Sequence, residues 1–190
     1  MIEQEKSMKQ EKLQIPSHID KFFKELEEFG KENYMFNIPR ETGKFIFKLL
    51  KEKKPKNILE IGMSNGYSTC WMAFACPEAK IKTIEIDKEK IKLAKKNFEK
   101  FNNIEILEGE AIEILKNLKG KFDFVFIDAT KKEYIKYLEL IKDKLNKDAV
   151  VIADNIISHK IKDYSLKAKE MFKSKTLNIG TGIEVSYVWL

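Results

Sequence analysis

Short apolar runs alternate along this chain with longer stretches whose apolar residues recur about every 3.6 positions. Apolar runs that read as strands fall at 57–61, 80–86, 104–107, 122–128 and 148–153. The stretches between them, at 66–76, 88–101, 110–119 and 132–145, carry helical periodicity. Strand–helix alternation at this rhythm predicts a parallel sheet with helices on both faces. The runs Phe122-Asp123-Phe124-Val125-Phe126-Ile127 and Ala149-Val150-Val151-Ile152-Ala153 are almost wholly apolar, as central parallel strands are when both faces are covered.

The rhythm differs at the two ends. Residues 1–16 form a charged tail, and residues 17–190 are expected to form one domain. Pro16-Ser17-His18 predicts a helix start with Ser17 as its cap; Ile19, Phe22, Phe23, Leu26 and Phe29 make one apolar face, and Gly30 is expected to end it. A second helix is predicted from Arg40 to about Lys53, after Pro39 and before Pro55. Beyond Asn155 a helix near 160–173 precedes two short strands, near 176–177 and 183–189, joined through Gly180-Thr181-Gly182. These read as a terminal antiparallel hairpin added to the sheet. The fold class is α/β: a Rossmann-like, mostly parallel sheet with a C-terminal hairpin and extra N-terminal helices.

Composition narrows the setting. Among the 190 residues no run approaches the roughly 20 apolar positions of a membrane helix, and the N-terminus lacks a signal-peptide apolar core, so no membrane partner and a cytoplasmic location are expected. The net charge of +6 admits RNA as a partner, but Arg40 is the only arginine and lysines are spread along the whole chain, which fits a solvated surface equally well. Cys70 and Cys76 lie six apart in one predicted helix, a spacing that faces neither across a turn, so both read as buried apolar groups.

The polar residues ending the strands carry the chemistry, because an open parallel sheet places its ligand at the carboxyl ends. After the first strand comes Glu60-Ile61-Gly62-Met63-Ser64-Asn65-Gly66-Tyr67-Ser68, a glycine-bracketed turn leading into a helix whose free N–H groups face whatever lies over the turn. Gly62 can take backbone angles that other residues resist, and Gly66 permits close approach of a ligand or of the helix. A tight corner with no ligand is the competing reading. Glu85 ends the second strand and is placed to accept ribose hydroxyls, whereas Asp87 reads as a helix cap. Asp128 and Asp154 end strands expected to be neighbours, about 4.8 Å apart. Two such carboxylates repel unless something positive lies between them. A hard divalent cation held by Asp128, Asp154 and Asn155 answers this, and all-oxygen ligands suit Mg²⁺ or Mn²⁺. Helix capping by the same residues is the alternative. Lys131, three residues after Asp128, is placed to accept a proton, although lysine is so common here that its position alone says little.

Taken together, Glu60-Ile61-Gly62…Gly66-Tyr67-Ser68, Ile84-Glu85, Asp128-Ala129-Thr130-Lys131-Lys132-Glu133-Tyr134, Ala153-Asp154-Asn155 and Gly180-Thr181-Gly182-Ile183-Glu184-Val185-Ser186 resemble the cation-dependent O-methyltransferases, the family of catechol and caffeoyl-CoA O-methyltransferases. The E-x-G-x-x-x-G spacing is similar to the turn that binds S-adenosylmethionine in such proteins. The resemblance runs from about Tyr34 to Tyr187 and implies a seven-stranded class I methyltransferase sheet. It implies that Glu60, Gly62, Gly66, Ser68 and Glu85 hold S-adenosyl-L-methionine, with Glu110 and Ala111 near its adenine and Asp128 serving donor and metal alike. It implies Mg²⁺ or Mn²⁺ on Asp128, Asp154 and Asn155, and Lys131 with Asp128 as the catalytic pair. The implied acceptor is a hydroxyl with a neighbouring oxygen, either a small catechol-type phenol or 5-hydroxyuridine in tRNA, and the implied assembly is a homodimer. Met63, Glu110 and Thr181 depart from the family pattern, Thr181 standing where an aspartate is usual. A non-catalytic protein that binds S-adenosylmethionine or a nucleotide in the same fold is the alternative function.

Overall fold

The computed structural model describes residues 15–188. Most of the predicted charged tail and the end of the predicted last strand at Trp189 therefore lie outside the described residues. The elements are α1 (Ser17–Glu32), α2 (Arg40–Lys53), β1 (Asn57–Ile61), α3 (Tyr67–Ala75), β2 (Lys80–Glu85), α4 (Lys88–Asn97), β3 (Ile104–Glu108), α5 (Ala111–Asn117), β4 (Phe122–Ile127), α6 (Tyr134–Ile141), β5 (Leu145–Ala153), α7 (Lys162–Met171), β6 (Lys173–Leu177) and β7 (Ile183–Tyr187). They form a seven-stranded sheet in the order β3-β2-β1-β4-β5-β7-β6. The first five strands are parallel, and β7 pairs antiparallel with both β5 and β6.

Side-chain alternation sorts each central strand onto two cores. Ile58, Ile81, Phe124, Phe126, Val150 and Ile152 face a core completed by α1, α2, α3 and α4. Leu59, Ile61, Ile84, Val125, Ile127, Val151 and Ala153 face the other, completed mainly by α5, α6 and α7. That is why the sequence of β4 and β5 is apolar throughout rather than alternating.

Strand order reverses between β1 and β4. From β1 the chain winds outward through β2 and β3, then crosses back to β4 on the other side. The carboxyl ends of β1 and β4 thus flank the crevice where open α/β sheets bind ligands. Asp123, at the opposite end of β4, stays out of it: its carboxylate accepts the backbone N–H groups of Lys56 and Asn57 and the Asn146 amide.

Three local expectations are corrected. Ser17 is the first helical residue of α1, with Pro16 in the cap position and no side-chain cap. Gly30 does not end α1, which runs to Glu32; a β-carbon there would lie 2.5 Å from the Asn37 amide nitrogen, so close packing explains this glycine. The helix expected over 132–145 is shorter, because 3₁₀ turns at Lys131–Glu133 and Lys142–Lys144 bracket α6 and β5 already begins at Leu145.

Candidate active site

The turn after β1 is held from several sides. The Gly62 and Met63 N–H groups both donate to the Ile84 carbonyl. Gly62 has φ +96°, and a β-carbon on it would lie 2.5 Å from the Asp128 carbonyl oxygen. The turn of β1 is therefore pressed directly on the backbone that carries Asp128. Gly66 has φ +85° and leaves room for the Phe98 ring. Asn97 fixes the same turn by donating its amide to the Asn65 carbonyl at 2.8 Å. Met63, the family departure, is 1% exposed and packs into the apolar core, so its bulk is turned away from the crevice.

Glu60 points from β1 into the core beneath α3 and is fully buried. Ser68 and Thr69 hydroxyls donate to its two oxygens at 2.5 Å each, and Thr83 adds a third bond at 2.6 Å. Its carboxylate is thus committed to protein hydroxyls, and Ser68, a donor-site candidate, is the partner of one oxygen. Burial drives the Glu60 pKa up to about 7, against the pull of the three hydroxyls. A carboxyl whose pKa rises on folding binds more protons in the native state, so its contribution to stability is full below about pH 4.5 and is lost as pH rises towards 7. Glu60→Gln is therefore expected to flatten the fall in chemical-denaturation stability between pH 5 and 7.5; an unaltered slope would reject this assignment.

Glu85, at the tip of β2, reaches back to the turn of β1. One oxygen accepts the Ser64 N–H at 2.7 Å, and the other accepts the N–H groups of Ile86 and Asp87. The next residue, Ile86, is 62% exposed, an apolar side chain left in solvent beside a carboxylate. Asp87 caps α4 as expected, accepting from the Glu89 and Lys90 N–H groups. Glu110 caps α5, accepting from Ile112 and Glu113 N–H, and Ala111 is the first residue of that helix. The capping function of Glu110 does not need a ligand.

The carboxyl ends of β4 and β5 are in register, with Ile127 opposite Ala153, and the Asp154 N–H donates to the Ile127 carbonyl at 3.0 Å. Asp128 and Asp154 are consequently neighbours across the sheet. Asp128 accepts the Lys131 ammonium at 2.6 Å. Burial raises the Asp128 pKa to about 6; Lys131 and the nearby Tyr134 hydroxyl oppose this, while the charge of Asp154 adds to it. Asp154 is completely buried. Its pKa is also raised by burial, with the Thr181 hydroxyl, the Asn155 backbone, Lys131 and His159 pulling it back. Lys131 is thus a shared counter-charge for the two acids.

One Asp154 oxygen accepts the Thr181 hydroxyl at 2.7 Å. The other has no hydrogen-bond partner. Orphaned buried oxygens of this kind are costly unless something is there to engage them. Asn155, which follows, has φ +63°, an uncommon conformation for a residue that is not glycine. The partly shielded Asp128 and the fully buried Asp154, the latter with a bare oxygen, thus sit on adjacent strand tips, and carboxylate oxygens so placed are of the kind that suits a hard divalent cation.

Besides Ile86, two further features lie outside the predicted site list. The loop between α1 and α2 lies on the β1 turn, the Ser64 hydroxyl donating to the Met35 carbonyl at 3.3 Å. Its Tyr34 and Phe36 are 80% and 89% exposed, an unusual state for large rings. Thr181 is the other. Its contact with Asp154 spans 27 residues of sequence, so nothing local signalled it. Ile86 did carry a signal, as an apolar residue in a turn directly after a strand-end acid.

The O-methyltransferase family model matches residues 14–180. The chain belongs to the O-methyltransferase family. A catechol O-methyltransferase of Niastella koreensis is 37% identical over 129 residues, covering 64% of this chain and 58% of that protein. Caffeoyl-CoA O-methyltransferase 5 of Nicotiana tabacum is 34% identical over 127 residues, covering 62% of this chain and 53% of that one. The chain thus matches little more than half the length of these curated family members. The crystal structure of an O-methyltransferase from Bacillus cereus in complex with SAH superposes with a TM-score of 0.80 at 24% identity, over 93% of each chain. That likeness establishes the class I methyltransferase sheet, as the strand order and the antiparallel β7 require. Within the family the resemblance read from the motifs is upheld. Among the described residues no helix is long and apolar enough to cross a membrane.

Proposed function

We propose that this chain is a divalent-cation-dependent O-methyltransferase that uses S-adenosylmethionine, with residues 17–190 working as one domain. The observation that carries this reading is the pair of acids, the partly shielded Asp128 and the fully buried Asp154, ending neighbouring strands against the Gly62 turn, the second with an unpartnered oxygen. Asp128, Asp154 and Asn155 are the residues that would hold Mg²⁺ or Mn²⁺. A cation bound there supplies Lewis-acid polarisation of an acceptor hydroxyl and of the oxygen next to it.

The other residues bind, orient and move a proton. The Gly62–Gly66 turn and the start of α3 receive the donor's polar end, with Ser68 oriented by Glu60 from below. Glu85 takes the ribose hydroxyls, and the exposed face of Ile86 lies beside it for the adenine, with Glu110 and Ala111 at the rim. Lys131, already in contact with Asp128, is the group placed to take the proton leaving the acceptor hydroxyl once its own ammonium proton has passed to solvent. Tyr34 and Phe36, on the loop that rests on the turn, offer apolar walls for a flat aromatic acceptor. The chain's contribution to rate is then positioning and fixed electrostatics.

The acceptor class is a hydroxyl with a vicinal oxygen, as in a catechol-type phenol. The net charge of +6 supports a second acceptor of the same chemistry, 5-hydroxyuridine in tRNA. With labelled S-adenosylmethionine, transfer to a catechol is expected to vanish on chelation and to return with Mg²⁺ or Mn²⁺. Turnover that persists in metal-free buffer rejects the mechanism, and binding of SAH without transfer to either acceptor class supports the non-catalytic alternative. A steep loss of activity between 50 and 200 mM salt identifies a nucleic-acid acceptor, since phosphate contacts are weakened over that range.

A further inference from the structure

We infer that Thr181 is a positioning residue for the metal site: its hydroxyl fixes the Asp154 carboxylate so that one oxygen is spent within the protein and the other is presented bare. The inference rests on the proposed cation site and concerns a residue outside the donor set named there.

Three observations carry it. The Thr181 Oγ1 donates to one Asp154 oxygen at 2.7 Å, while the other oxygen is fully buried with no partner. A carboxylate held at one oxygen only, and desolvated at both, is oriented rather than merely neutralised. The Thr181 segment is also locked against the Asp154 loop. The Ile156 N–H donates to the Gly182 carbonyl at 2.8 Å, and the Ser158 N–H to the Thr181 carbonyl at 3.0 Å. The flanking glycines permit this close seating. Gly180 has φ +55° and no room for a β-carbon against Thr42 and Pro39, and Gly182 has φ +87° with Ile157 in the way. Finally, threonine here is a donor, where the family pattern has an aspartate. An acid in this position would have to be protonated to make the same hydrogen bond and would otherwise add a third negative charge beside Asp128 and Asp154. With threonine, this chain keeps the charge of the site down to the two acids and Lys131.

The test is titration calorimetry of Mn²⁺ into the full chain without donor or acceptor, comparing Thr181→Val, Thr181→Ser and Asp154→Ala. Thr181→Val keeps the shape and removes the donor; it is expected to weaken Mn²⁺ binding by about 10-fold or more, the usual effect of losing an outer hydrogen bond to a metal ligand. Thr181→Ser restores the hydroxyl and should return binding to within a few-fold of the parent, which a purely steric role of Thr181 would not predict. Circular dichroism of the three variants confirms that each is folded before titration. If Asp154→Ala loses Mn²⁺ binding while Thr181→Val binds as tightly as the parent, the role given to Thr181 is wrong and the cation site stands. If Asp154→Ala binds Mn²⁺ unchanged, the cation site itself is wrong and the role of Thr181 falls with it.

Discussion

Asp154→Ala is expected to remove methyl transfer while leaving the chain at least as stable as before in metal-free buffer. Asp154 is completely buried, its pKa is pushed up by desolvation, and one of its oxygens has no partner. A buried charge without full compensation costs stability, so an alanine relieves more than it removes, even though Thr181 loses its acceptor. Activity should fall by on the order of 10²–10³-fold or more, the scale seen when one group that stabilises transition-state charge is deleted. Such a split, with activity lost and melting temperature equal or higher, marks a residue retained for function against its own cost. Activity within tenfold of the parent would remove Asp154 from the chemistry. A variant that melts well below the parent would instead make it a structural acid.

Gly62→Ala is expected to be among the most destabilising single-methyl additions in the fold. Two effects combine. At φ +96° an L side chain is strained, and the new β-carbon would lie 2.5 Å from the Asp128 carbonyl oxygen and 2.7 Å from its carbon. Backbone strain and overpacking each cost about 1–3 kcal/mol, so a loss of roughly 2–6 kcal/mol follows. For a chain of this size that lowers the melting temperature by about 4–24 °C. Gly120→Ala separates the two effects. Gly120 has φ +102° but nothing within 4 Å of the added carbon, so it carries strain alone. Equal losses in the two variants would mean that the contact between the β1 turn and Asp128 is slack. A larger loss at Gly62, accompanied by weaker donor binding, fits a turn that sets both the donor pocket and the place of Asp128.

What was legible in the sequence follows from which interactions are local. β4 and β5 stood out because buried parallel strands leave almost no polar residues, and Asp128 and Asp154 were expected at adjacent strand tips; the register of Ile127 with Ala153 bears that adjacency out. The cap at Asp87 was readable for the same reason, since a cap acts within three residues. Less legible are residues with a familiar local meaning that also serve another partner. Gly30 resembled a helix stop, but it makes room for the Asn37 side chain. Glu60 reads from its motif as a donor-site residue, and the motif does not reveal that its oxygens accept from Ser68, Thr69 and Thr83, the last of them 23 residues away on β2. Glu110 caps α5, a contact the motif alone does not separate from a place beside adenine. The contact of Thr181 with Asp154 had no local signal, because it depends on β7 turning back against β5.

The central claim is that Asp128 and Asp154 share one divalent ion beside the donor turn. Anomalous diffraction from crystals grown with Mn²⁺ and SAH tests it most directly. The account predicts a single strong manganese peak in contact with both carboxylates and with the Asn155 side chain, with Lys131 displaced from its position on Asp128. A peak elsewhere, or none at these two acids in the presence of millimolar Mn²⁺, would contradict it.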